Sequence, residues 1–271
     1  MTRRLKLMTS LSTLAAAGAL ALTGCGGEGE GEGAEGEVDL STVSSGEAEG
    51  EGEGGESEGE SGSLSGDPAT DDVAYLKLLG LVRGHLIAFY ELYQSGSRDM
   101  ARMHVKHPES ELYMDIVPAF APRGQSGFAD ELTALVDAAT ANGDIDAEYT
   151  AVVEAIDAHA PRTNPAAVLL AISEMTRTAA DEFDIGVEDS GAIVNAHEYQ
   201  DAYGFLVAGR DMLSGLETSD VDASDAISLA HEQIDLALAS FDGLTVETTE
   251  GRASTLYGAA ARIEIAARGL M

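Results

Sequence analysis

The chain has 271 residues, 31 of them glycine, with one cysteine, no tryptophan and a formal charge of −33 from 15 basic and 48 acidic side chains. So acidic a chain repels phosphate rather than releasing its counterions, which argues against a nucleic acid partner. A single cysteine excludes an internal disulfide and any zinc cluster built on several thiolates.

Residues 1–24 read as an export signal. Arg3, Arg4 and Lys6 form a basic start, and an apolar run follows from Leu7 to Leu22. That run is short for a membrane span of about 20 residues. It ends in Leu22-Thr23-Gly24-Cys25, which resembles the lipobox of bacterial lipoproteins, whose cysteine receives a lipid on its sulfur and becomes the new first residue. The lone cysteine of the chain stands at the one position the box requires. Lipidation of Cys25 would hold the protein on a bilayer, since acyl chains gain about 0.8 kcal/mol per buried CH₂. This places it in the cell envelope, facing the periplasm or the exterior.

Residues 25–66 carry that cysteine and a tether. From Gly26 to Gly66 there are 14 glycines, 12 glutamates and one aspartate, and no lysine, arginine or aromatic residue. Such a segment cannot bury enough apolar surface to offset the entropy of ordering it, so disorder is expected. Its length and self-repulsion suit a spacer that lifts a domain off an anionic surface.

Residues 67–271 form the expected folded domain, with 12 basic and 35 acidic side chains. The patterning is helical throughout. Asp71 to Tyr93 puts Leu78, Val82, Leu86, Phe89 and Tyr93 on one stripe. Gly80, Gly84 and Ala88 make a second stripe where another helix can come close. Further helices are expected over Ser97–Val105, Ser110–Phe120, Gly127–Ala141, Asp146–His159, Asn164–Asp184, Ala196–Leu216, Ser224–Phe241 and Glu250–Leu270. Breaks fall at His107-Pro108, Pro122-Arg123-Gly124, Asn142-Gly143, Ala160-Pro161, Asp189-Ser190-Gly191 and Asp242-Gly243. Gly191 to Val194 is too short to seed a sheet. The fold class is therefore all-α, a bundle of eight or nine helices.

Three features can carry chemistry. Met100, Met103, His104 and His107 share one face if a single helix runs through them. Thioethers and imidazoles together favour copper, although methionine at this spacing also serves as core filler. His85 lies on the apolar stripe of the first helix, where it is a hydrogen-bonded core residue or, with His104, His107 and acids such as Glu91, Glu109 or Glu111, part of a site. His197 falls in the first turn of a helix whose dipole favours its neutral form. Beside it, Asn195 and Glu198 have the spacing of a capping box, which explains both structurally. No nucleophile elbow, phosphate loop or HExxH spacing is present, so a hydrolase or nucleotide enzyme is not expected.

The run Asp181-Glu182-Phe183-Asp184, continuing through Asp189-Ser190-Gly191-Ala192-Ile193-Val194-Asn195 to Glu198-Tyr199 with Phe205 beyond, resembles a pattern in the extracytoplasmic helical domain associated with bacterial high-affinity iron permeases. Tyr93-Gln94-Ser95-Gly96-Ser97 with Ala101, Glu111 and Leu112 is similar to another helix pair of that domain, while Ser190 interrupts the Asp-Gly turn. The resemblance implies an accessory place in envelope metal handling, beside a metal-transport protein, and not transport by this chain.

Two functions compete on this reading: a noncatalytic envelope protein that binds or hands over iron or copper, and a helical interaction module in which the histidines and acids only pack and cap. Both share the anchor. The Cys25→Ser variant is expected to move from the membrane fraction to the soluble export fraction, and unchanged membrane retention would defeat the anchor assignment.

Overall fold

Seventeen of the 23 residues of α1 (Asp72–Gln94) are buried, so its apolar surface is spent on protein contacts. By length and composition the helix could cross a bilayer, yet 83% of its apolar window lies inside the protein. It is the expected central helix. Asp71 caps it, its carboxylate accepting from the Val73 amide at 2.8 Å, which satisfies one of the donors left open at a helix start.

The computed structural model describes residues 66–107 and 112–271, with Lys106 and His107 described by backbone alone. The signal sequence, Cys25, the acidic tether and Glu111 lie outside the described residues. Those described belong to one unit, Gly55–Met271, and are all-α. After α1 come α2 (Arg98–Ala101), α3 (Met103–His107), α4 (Tyr113–Phe120) with a 3₁₀ turn at Ala121–Arg123, α5 (Ala129–Thr140), α6 (Asp146–His159), α7 (Pro165–Gly186), α8 (Ala196–Ser214), α9 (Val221–Leu238) and α10 (Ala253–Arg268). Side chains of Asn164 and Asp220 cap α7 and α9, and Pro165 opens α7 at the position where its missing N–H costs nothing.

Each expected helix is found, with one difference. The stretch from Ser97 to Val105 is not a single helix. It breaks at Arg102, whose guanidinium is drawn to Asp99 at 2.7 Å and to the Asn142 side chain at 2.7 Å. The break puts Met100 on α2 and Met103, His104 and His107 on α3, so no single helix runs through the four.

Helices α1, α7 and α8 pack on one another, α10 lies against α7 and α9, and α3 touches α1 and α8. Phe89, Phe183, Tyr199 and Phe205 fill the centre, each almost wholly buried, and each such side chain contributes about 1.5–3 kcal/mol by leaving water. Arg83 ties α1 to α6 and α8 through ion pairs with Asp157 and Asp211. No strand forms among the described residues. The turn at Gly191 (φ +85°) instead supports two isolated bridges, Val187 with Ile193 and Ala192 with Thr248.

The close approach expected on the glycine stripe of α1 is made with α8. A Cβ on Gly204 would collide with the Gly84 carbonyl oxygen, and one on Gly84 would meet the Phe205 amide nitrogen at 2.9 Å. Backbone meets backbone there, and neither side can yield. Gly209, further along α8, has only ordinary contacts at 3.4 Å or more. Gly204→Ala is therefore expected to destabilise by about 1–3 kcal/mol through overpacking. Gly209→Ala should be neutral or stabilising by up to about 1 kcal/mol through helix propensity. Equal effects of the two in thermal melts would contradict a glycine-dependent crossing.

Candidate metal centre

The α1–α8 crossing sets His85 beside Asp201, one residue from Gly84 and three from Gly204. α3 brings His104 to the same place. All three are sealed in the core, at 0%, 0% and 1% exposure. His85 Nδ1 lies 2.6 Å and His104 Nδ1 2.8 Å from the same oxygen, Asp201 Oδ1. His197 and Glu198, in the first turn of α8, stand on the other side: His197 Nδ1 is 3.5 Å from Asp201 Oδ2. The His104 and His197 rings stack at 4.5 Å and 18°. The Phe205 ring edge closes over His85 at 4.9 Å. Buried Glu182 of α7 adds a hydrogen bond to Glu198.

The protonation of His104 can be read from its neighbours. Gln200 donates its amide N–H₂ to the Leu244 carbonyl at 2.8 Å, which turns Gln200 Oε1 toward His104 Nε2, also 2.8 Å away. An amide oxygen only accepts, so Nε2 carries the proton. Nδ1 stands at hydrogen-bond distance from Asp201 Oδ1, 2.8 Å, where it either donates a second proton, as an imidazolium, or offers a lone pair to a cation. Two lone pairs at 2.8 Å repel unless a proton or a metal cation lies between them. His85 raises the same question, since its Nδ1 faces the same oxygen at 2.6 Å while its Nε2 has no hydrogen-bond partner despite complete burial.

The carboxylates are held ionised. Burial pushes the Asp201 pKa up, but the charges facing it from His85 and His104, with a hydrogen bond from each, outweigh burial and put it well below the usual carboxylate range. Glu198 is also lowered, first by its hydrogen bond with His197, against burial and with help from Glu182. Each subset, His85 with His104 and Asp201, and His197 with Glu198 and Asp201, has ligand atoms within 4.8 Å of one another.

Of the residues singled out in the sequence, His85, His104 and His197 converge. Met103 does not accompany them: it is 50% exposed while its neighbour His104 is fully buried. Met100 is partly buried and packs against the hydrophobic core. The thioether stripe, and the copper preference drawn from it, therefore lose their geometry. His107 ends α3, and its side chain, like Glu111, lies outside the described residues. Glu91 is engaged elsewhere, accepting from the Tyr203 hydroxyl at 3.2 Å.

The capping box does not close as expected. Asn195 caps α8 by accepting from the His197 amide at 3.2 Å, but its own backbone amide goes to the Gly186 carbonyl. Glu198 accepts from the Asn195 side chain at 3.4 Å instead of from its backbone amide, and also engages His197 and Glu182 in the cluster. Asp201 and Gln200 were missed in the sequence. The available signal was His197 and Asp201 one turn apart, with Asp201 among Tyr199, Ala202 and Phe205 on an otherwise apolar face.

Comparison with protein-family models, with curated proteins and with solved structures returns no match.

The depressed Asp201 pKa makes a signed prediction for the metal-free protein. A group lowered on folding contributes stability that is complete above its unfolded value, about 3.9, and is lost as pH falls below that toward the folded value. Relative to Asp201→Asn, the parent should lose stability more steeply below about pH 4, by up to about 1.4 kcal/mol per pH unit, the slope of one proton. Denaturant midpoints at a series of pH values measure it. Parallel curves would show that folding does not lower the Asp201 pKa.

Proposed function

We propose that this is a noncatalytic envelope protein, lipid-anchored through Cys25 and raised on its acidic tether, that binds or hands over a transition metal ion at His85, His104 and Asp201, with His197 and Glu198 beside them. The observation that carries the reading is the convergence of His85, His104 and His197 on the one buried Asp201 carboxylate. His104 Nε2–H is committed to Gln200 Oε1, which leaves Nδ1 as its ligating nitrogen, aimed at a carboxylate oxygen that His85 also faces. Metal-binding histidines commonly donate their second ring N–H to an oxygen acceptor in this way, which orients the ring and raises the basicity of the ligating nitrogen.

The donors are imidazoles and carboxylates, the set that suits iron(II) and other borderline divalent ions rather than copper(I). Binding is favoured over catalysis because the inner groups are sealed, leaving access to an ion but not to an organic substrate. The resemblance to the iron-permease-associated domain supports the same direction, with an envelope metal-transport protein as the partner that gives or receives the ion.

Chelator competition with zinc(II), and with iron(II) under anaerobic conditions, tests the site in the full chain. The Asp201→Asn and His104→Gln variants are expected to bind at least about 100-fold more weakly, in line with the loss of a ligand or its charge. His231→Ala, on α9 and outside the cluster, should leave affinity unchanged. A parent chain that binds neither ion above the level of the Asp201→Asn variant would remove the metal reading in favour of a helical interaction module.

A further inference from the structure

We infer that the cluster holds two cations, with the Asp201 carboxylate bridging them; this rests on the metal reading above and adds its nuclearity. The two oxygens of Asp201 are divided between separate donor sets. Oδ1 faces His85 and His104, whereas Oδ2 faces His197, whose neighbour is Glu198.

The stacking of His104 on His197 decides between one ion and two. An imidazole lone pair lies in the ring plane, and a first-row metal sits about 2.0–2.1 Å from the nitrogen along it. Two rings stacked 4.5 Å apart and only 18° from parallel confine their lone pairs to two nearly parallel planes, which do not converge within bonding distance of one ion. They address two neighbouring positions, spanned by the two oxygens of one carboxylate. Carboxylate-bridged pairs of ions typically stand about 3.5–4 Å apart, close to the spacing of the rings.

Charge and access agree with this division. Two divalent ions need more negative charge than one buried aspartate provides, and Glu198, hydrogen-bonded to His197, adds a carboxylate on the His197 side. The inner position, between His85 and His104, is fully buried. The outer one is bounded by His197 and Glu198, whose side chains keep 10% and 12% exposure. An ion therefore reaches the inner position by way of the outer one, and the outer ion exchanges first.

The full chain titrated with cobalt(II) in a chelating buffer, to suppress binding by exposed carboxylates, reads the stoichiometry. Manganese(II) loading read by electron paramagnetic resonance reports whether the ions are coupled. Two tightly bound equivalents and a spin-coupled manganese signal are expected in the parent, falling to one equivalent in Glu198→Gln and in His197→Ala with the first retained. One equivalent in the parent would overturn the paired site while leaving the metal-binding function standing. No bound equivalent would overturn both. Two equivalents without spin coupling, or a second equivalent that survives in both variants, would overturn the Asp201 bridge.

Discussion

An ionised carboxylate enclosed by helices is the constraint around which the rest of this fold is arranged. Taking such a charge out of water costs several kcal/mol even after the protein relaxes, unless partners return what the solvent gave. Asp201 has three imidazoles and no water-facing side. Each partner comes from a place the backbone had to bring close: His85 through the glycine crossing of α1 and α8, His104 through the short helix after the Arg102 break, and His197 through the capped start of α8. The apolar core around them, Phe205 above all, keeps the local dielectric low and makes the pairing strong.

The helices were legible because each carries its own evidence. The apolar stripe of α1, the Asn164-Pro165 start of α7 and the Ala160-Pro161 stop after α6 are local signals, and the fold obeys them. The Arg102 break was not legible, because no glycine or proline marks it and the Arg102 side chain there is engaged by Asn142, forty residues away. The site divides in the same way. His85, His104 and His197 stand out as titratable groups in apolar surroundings, but their convergence depends on three helix contacts that no single stretch encodes. Glu198 was absorbed into a capping explanation whose spacing it satisfies and whose geometry it does not. Asp201 passed unnoticed in a stretch dominated by its aromatic neighbours, and Met103 attracted attention that its exposure does not support.

The proposed organisation joins two parts with different physics. The N-terminal part has the composition of an anchor and an acidic spacer, and the domain carries a concentrated, enclosed set of nitrogen and oxygen donors. Strong negative charge over the domain raises the local concentration of cations near its surface, and His197 with Glu198 forms the less buried edge of the cluster. Capture at the surface and retention in the core then become consecutive steps of one path. A sealed position suits holding an ion against competitors, and a partly open one suits passing it on.

X-ray absorption at the cobalt edge of the loaded full chain tests most directly whether Asp201 and its imidazoles are a cation cradle. The account predicts a shell of nitrogen and oxygen at about 2.0–2.2 Å, with the multiple-scattering pattern of coordinated imidazole and no sulfur. A sulfur shell from the methionines, or an all-oxygen shell of the kind exposed carboxylates and water provide, would contradict it.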